Sequence, residues 1–153
     1  MDDDPWVTPP LRPVTLAAVA GRIGGRVQDT GGAGRTVTGI TQDSRAVEPG
    51  DLYVALPGAR WHGASFAAQA AARGAAAILI EPTAVPILDG GPGAHSGAPA
   101  GAARPLPRVT APALRSVLGP LASWLHGDPS RAMGLIGVTG TNCEGVSVLL
   151  RAV

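Results

Sequence analysis

Apolar residues fall at three- and four-residue spacing at Leu16, Val19, Ala20 and Ile23, which predicts an amphipathic helix. Thr15 stands at the N-cap position and Gly24-Gly25 at the stop. Residues 28–35 are glycine-rich and read as loop. Residues 37–41 then alternate apolar and polar, the pattern of a strand with one buried face. Glu48-Pro49-Gly50-Asp51 has turn chemistry and leads into a second apolar strand at 52–56. A polar loop at 57–63 is followed by a helix that starts near Ser65, runs through Phe66, Ala67, Ala70 and Ala71, and ends near Arg73-Gly74. Residues 75–80 are apolar throughout, as a strand covered on both faces should be. Strand, helix, strand is a βαβ unit. A short strand is predicted at 106–109. A helix is predicted over 111–125, with Leu114, Val117, Leu118, Leu121 and Leu125 on one face and Pro120 as a kink or break. Gly127 and His126 mark its end. Residues 135–138 form an apolar run entering a Gly/Thr/Asn turn, and Val146, Leu149, Leu150 and Val153 recur at helical spacing beyond it.

Two stretches fall outside these patterns. Residues 1–13 carry three Asp and four Pro and are expected to be a mobile lead-in. Residues 89–105 are almost entirely Gly, Ala, Pro and Ser, the composition of a flexible insertion. A chain of 153 residues can bury one sizeable core. The net charge of +1 argues against nucleic acid or an anionic membrane as a partner held by bulk electrostatics. No apolar run approaches the roughly 20 residues that span a bilayer. An acidic N-terminus unlike a signal peptide, together with a single cysteine, points to the cytoplasm.

The candidate chemistry lies at two places. Asp43-Ser44-Arg45 follows the first predicted strand directly, at the end where open α/β sheets bind ligands. An Arg there can pair with a diphosphate through two N–H groups, and Trp61 offers a flat apolar face. The same residues also read as a turn with a solvated Arg, and Trp61 as cover for a sheet edge. The second place is the strand–turn–helix pattern from 135 to 153. Its layout is that of a phosphate-binding loop, in which backbone N–H groups and a Lys-Ser/Thr pair hold a nucleotide. Here Glu144 occupies the Lys slot, and all twelve basic residues of the chain are Arg. Cys143 beside it reads either as a thiol activated by a helix start or as a small residue in a glycine slot. His62, His95 and His126 are too dispersed for a metal site.

Two separated strings occur together in order. One is Thr38-Gly-Ile-Thr-Gln-Asp-Ser-Arg45 with Val47-Glu-Pro-Gly-Asp-Leu-Tyr-Val-Ala-Leu-Pro-Gly58; the other is Asp128-Pro-Ser-Arg131 with Leu135-Ile-Gly-Val-Thr-Gly-Thr-Asn142. They resemble the Mur ligases, and within them the MurE type that adds the third residue to a UDP-N-acetylmuramoyl dipeptide. The resemblance runs from about Thr15 to Asn142. It implies an α/β fold: a three-layer N-terminal domain with a small, mainly parallel sheet over 14–127, which binds the UDP end of the substrate. Residues 128–153 would be a linker and the start of the central ATPase domain, with a degenerate phosphate loop. It further implies that Ser44 contacts the UDP moiety within Asp43-Ser44-Arg45, that Gln42 lines the uracil side, and that the loop Gly58-Ala59-Arg60-Trp61-His62-Gly63 closes over the uridine diphosphate. His62 stands where the family usually has Asp. In the ATP loop Gly140, Thr141 and Asn142 match, whereas Cys143-Glu144-Gly145 does not, with one residue fewer between the flanks.

The expected function is therefore the substrate-binding part of a MurE-type ligase of peptidoglycan precursor synthesis, catalytically incompetent alone because the Lys of the phosphate loop, most of the central domain and the C-terminal domain are lacking. The expected partner is a UDP-N-acetylmuramoyl peptide. No cofactor or metal is expected for this chain, with ATP and Mg belonging to complete relatives. Association with a complete Mur ligase is a further partnership the resemblance raises, and no motif supports it. The alternatives are a stand-alone, non-catalytic UDP-sugar-binding module and a remnant of a disrupted gene. A remnant would leave an apolar helix over 146–153 with nothing to pack against.

Overall fold

The structure is a computed structural model and describes residues 12–28, 32–91, 106–137 and 147–151. The expected lead-in, the centre of the expected insertion and the loop with Gly140, Thr141 and Asn142 lie outside the described residues.

The chain opens with β1 (Val14–Thr15) and α1 (Leu16–Arg22). Thr15 is extended and accepts the Ala18 N–H at 3.3 Å, so it caps α1 as its position suggests. Gly24, with φ +63°, takes the left-handed turn that ends the helix. Next come β2 (Arg26–Val27), β3 (Thr36–Val37) and β4 (Gly39–Thr41). The single strand expected over 37–41 is thus two pieces that serve different sheets. β3 pairs antiparallel with β1, and β4 enters the main sheet. β5 (Asp51–Ala55), α2 (Ala67–Ala72) and β6 (Ala77–Ile80) form the expected βαβ unit, with β5 and β6 parallel. A 3-10 turn at Gly63–Phe66 precedes α2. A second at Pro82–Ala84 leads into the short α3 (Val85–Leu88), which the hydrophobic pattern did not predict. β7 (Arg108–Thr110) and α4 (Leu114–Leu125) follow.

The main sheet has the order β2-β7-β6-β5-β4, parallel except for β2. Alternation along its strands divides the core in two. Leu52, Val54, Ala77, Leu79 and Val109 face Leu16 and Val19 of α1 and Leu114, Leu121 and Leu125 of α4. Tyr53, Ala55, Ile78 and Ile80 point the other way, toward Ala64, Ala70 and Ala84. The result is three layers, helices on both faces of a sheet, which is why β5 and β6 read as continuous apolar runs. The second face is lined largely by alanine, so the chain beyond β5 approaches the sheet closely there.

Pro120 does not divide α4. It lies on the exposed side while Leu121 and Leu125 are buried, so the carbonyl it leaves without an N–H partner is on the solvent side. After a 3-10 turn at Pro129–Ala132, β8 (Met133–Gly137) pairs antiparallel with β9 (Ser147–Arg151), from Met133 opposite Arg151 to Gly137 opposite Ser147. This corrects the helix expected over 146–153. A short run such as Val146-Ser-Val-Leu-Leu150 satisfies helix and strand spacing alike, and a five-residue partner of matching length decides for the strand. No helix among the described residues is long and apolar enough to cross a membrane.

Candidate functional site

The loops that leave the C-terminal ends of β4 and β5 meet in a cleft of about 520 Å³. Gln42, Asp43, Ser44 and Arg45 come from the first loop; Leu56, Trp61 and Gly63 come from the second. Tyr53 of β5, Phe66 at the start of α2 and Gln69 within it complete the lining. Of the eight residues singled out for substrate, the cleft gathers Gln42, Asp43, Ser44, Arg45 and Trp61. Gly58, Ala59 and Arg60 sit in the same loop as Trp61 but do not line the cavity. Tyr53 and Gln69 were missed. Only the lone tyrosine of an otherwise aliphatic strand hinted at the first.

Ser44 is 7% exposed, and it and Thr110 are the buried polar residues among those described. Its hydroxyl donates to Gln69 Oε1 at 2.7 Å. The proton is therefore committed inward, and the oxygen offers lone pairs to whatever fills the cleft. Asp43 turns back on its own loop. Its Oδ1 accepts the Arg45 N–H at 2.9 Å and Arg45 Nε–H at 3.0 Å, and Oδ2 accepts from Arg45 Nη2 at 2.9 Å. Hydrogen bonding from Arg45 lowers the Asp43 pKa, and the same bond raises that of Arg45. The Arg45 side chain is 80% exposed, and its fork is held by the Asp43 carboxylate. With Asp43 on it, Arg45 is the single cation of the lining, so the cleft carries little net charge.

The second loop is closed by its own backbone. Gly63 N–H donates to Leu56 O at 2.8 Å, and Gly58 N–H donates to Trp61 O at 3.2 Å. A Cβ on Gly63 would stand 2.9 Å from Ala55 Cα and Leu56 N, so only glycine lets the loop return this close to β5. The Tyr53 hydroxyl donates to Gly63 O at 2.9 Å. Burial pushes the Tyr53 phenol up to about 12, with the Asp43 charge adding to the effect and the neighbouring Ser44 hydroxyl opposing it. His62 Nδ1 accepts the Ala64 N–H at 3.0 Å, so this histidine caps the turn that follows. Among the described residues Trp61 is the exposed large apolar side chain, at 54%.

Residues 36–123, from β3 through most of α4, match the family described as Mur ligase family, catalytic domain. The chain belongs to the Mur ligase family. Mur ligase relatives named UDP-N-acetylmuramoyl-L-alanyl-D-glutamate–2,6-diaminopimelate ligase share much of this sequence. The Streptomyces coelicolor protein is 44% identical over 138 residues, covering 87% of this chain and 24% of the relative. The Xanthomonas campestris protein is 47% identical over 116 residues, covering 76% of this chain and 21% of the relative. The chain thus spans about a quarter of the length of the Mur ligases it matches. MurF from Acinetobacter baumannii shares the fold, with a TM-score of 0.53 at 23% identity over 75% of this chain and 21% of that one.

The segment of this Mur ligase chain that carries Gly140, Thr141 and Asn142 lies outside the described residues, and β9 follows it. Residues 147–151 form a strand, so the loop is not followed there by the helix whose first N–H groups would face a phosphate. Glu144 adds a repelling charge where a Lys would attract. No group of three or more His, Cys, Asp or Glu suited to a metal occurs among the described residues.

Proposed function

We propose that residues 14–127 bind the UDP end of a UDP-N-acetylmuramoyl peptide in the cytoplasm, as the substrate-holding part of a MurE-type ligase of peptidoglycan synthesis. The observation that carries this reading is the cleft at the ends of β4 and β5, where the loop with Gln42–Arg45 and the loop with Trp61 and Gly63 converge. Open parallel sheets bind ligands at that end of their strands. Ser44 presents lone pairs, which suits a ligand N–H or O–H such as those of a uracil or a sugar. Trp61 supplies the flat apolar wall. Arg45 is the group in reach of a diphosphate, and to pair with one it must share or leave Asp43. Gly58, Ala59 and Arg60, outside the cavity lining, act on a ligand that extends past Trp61 over the loop. ATP and Mg belong to longer relatives, and the reading assigns this chain binding without turnover.

Calorimetric titration with UDP-N-acetylmuramoyl dipeptide tests the proposal. Saturable binding is expected, and Ser44→Ala should weaken it about tenfold, the usual effect of removing one hydrogen bond at a buried partner. A folded protein that gives no heat with this ligand would sink the assignment of the cleft.

A further inference from the structure

One contact that closes the 57–63 loop depends on the protonation of a histidine. His62 Nδ1 accepts the Ala64 N–H at 3.0 Å. An imidazole nitrogen accepts only when it carries no proton, so the bond needs neutral His62 with its hydrogen on Nε2. The neighbouring bonds of the loop do not titrate near neutrality, so the His62 cap is the acid-sensitive contact among them. Trp61 O accepts the Gly58 N–H, Gly63 N–H donates to Leu56 O, and Gly63 O accepts the Tyr53 hydroxyl. His62 itself pairs across the loop with Pro57 in an isolated antiparallel bridge.

The charged groups around this loop come from three elements. Glu81 follows β6 and faces His62 electrostatically, while its Oε1 accepts the Leu114 N–H at 3.1 Å. Arg115 of α4 donates from Nη2 to Pro57 O at 2.5 Å. Arg60 lies in the loop itself, and the segment 63–72 that leads from the loop through α2 carries no charged residue. Partial burial of the ring lowers the His62 pKa, and the Glu81 carboxylate opposes that without reversing it.

We propose that His62 is the positioning residue for Trp61: neutral, it holds the loop with the indole at the cleft, and protonated, it gives up the cap and lets that wall move. The direction follows from linkage. With its folded pKa below the ordinary value, His62 contributes loop stability that is fully present above about pH 6.5 and is lost as pH falls through the folded pKa. The consequence for ligand rests on the cleft being the substrate site; the loop change itself does not.

The test is nuclear magnetic resonance of the full chain from pH 7.5 to 5, followed at the Ala64 amide and the Trp61 indole N–H. His62→Asn is the key variant, because its side-chain oxygen can accept the same N–H and does not titrate. In the unmodified protein both signals should shift together with one midpoint below about 6.5. Opening of the Ala64 amide should rise about fivefold across it, the effect of losing one ordinary helix cap. In His62→Asn both signals should stay flat. Signals that move equally in both proteins, an Ala64 shift without a Trp61 shift, or no movement in either would overturn the proposal. A second titration with UDP-N-acetylmuramoyl dipeptide separates the two readings. Absence of binding at pH 7.5 removes the substrate assignment and leaves the histidine effect standing. Binding that does not weaken in acid relative to His62→Asn removes the positioning role and leaves the substrate site.

Discussion

A phenol buried under the cleft is the most direct probe of how dry its floor is. Tyr53 is the chain's single tyrosine, so the alkaline rise in absorbance near 295 nm reports its ionisation. Its hydroxyl is tied to Gly63 O, and burial pushes its pKa up to about 12. Because the folded value is raised, the contribution to stability is complete below about pH 10 and is lost as pH rises toward 12. The folded protein should therefore titrate near 12 and the urea-unfolded protein near 10. A folded midpoint near 10 would mean that the ring is solvated. At this scale the sequence was readable where the cleft residues are contiguous. Gln42 through Arg45 stand side by side at the end of a strand, and their types announce polar recognition. Gln69 was not readable, because it meets Ser44 across 25 residues and only through the packing of α2 on β5. Tyr53 sat in a run of buried aliphatics and passed for core.

Elements built on spacing were legible, and those built on close approach were not. α1, β5, α2, β6 and α4 follow directly from periodicity, caps and glycine stops. α3 follows the turn that Pro82 opens and has Pro86 as its second residue, and at four residues it is too short to show a helical period. The closed shape of the 57–63 loop has no pattern at all, since it depends on Gly63 passing against β5. Gly63→Ala would place a methyl carbon 2.9 Å from Ala55 Cα and Leu56 N, backbone atoms that cannot swing aside. A loss of about 1–3 kcal/mol in urea unfolding is expected, as for other forced overpacking, with the Tyr53 bond weakened alongside it. Unchanged stability would show that the loop can stand off the sheet, and it would also undercut the coupling from His62 to Trp61.

For the molecule as a whole, the three-layer sheet domain and the β8–β9 hairpin make opposite predictions about nucleotides. The domain presents a formed cleft at the ends of parallel strands. The described residues of the hairpin, Met133–Gly137 and Ser147–Arg151, are strand and offer no helix start. A phosphate loop needs a helix start aimed at the anion, and β9 is a strand. It needs a fixed cation, and Glu144 stands in that slot in a chain with no lysine. The misreading of 147–151 as helix came from the spacing of an apolar run that fits helix and strand alike, and the strand pairing makes the mismatch larger than one residue change. Two like charges about 4 Å apart near a surface repel by about 4 kcal/mol, so Glu144 alone would oppose a bound γ-phosphate strongly. ATP with Mg²⁺ should therefore give no binding heat and no phosphorus chemical-shift change, in the same preparation that binds the UDP peptide. ADP release that depends on both UDP-N-acetylmuramoyl dipeptide and an amino acid would contradict this. It would require the 138–146 loop to form a phosphate site by some means other than a helix start and a lysine.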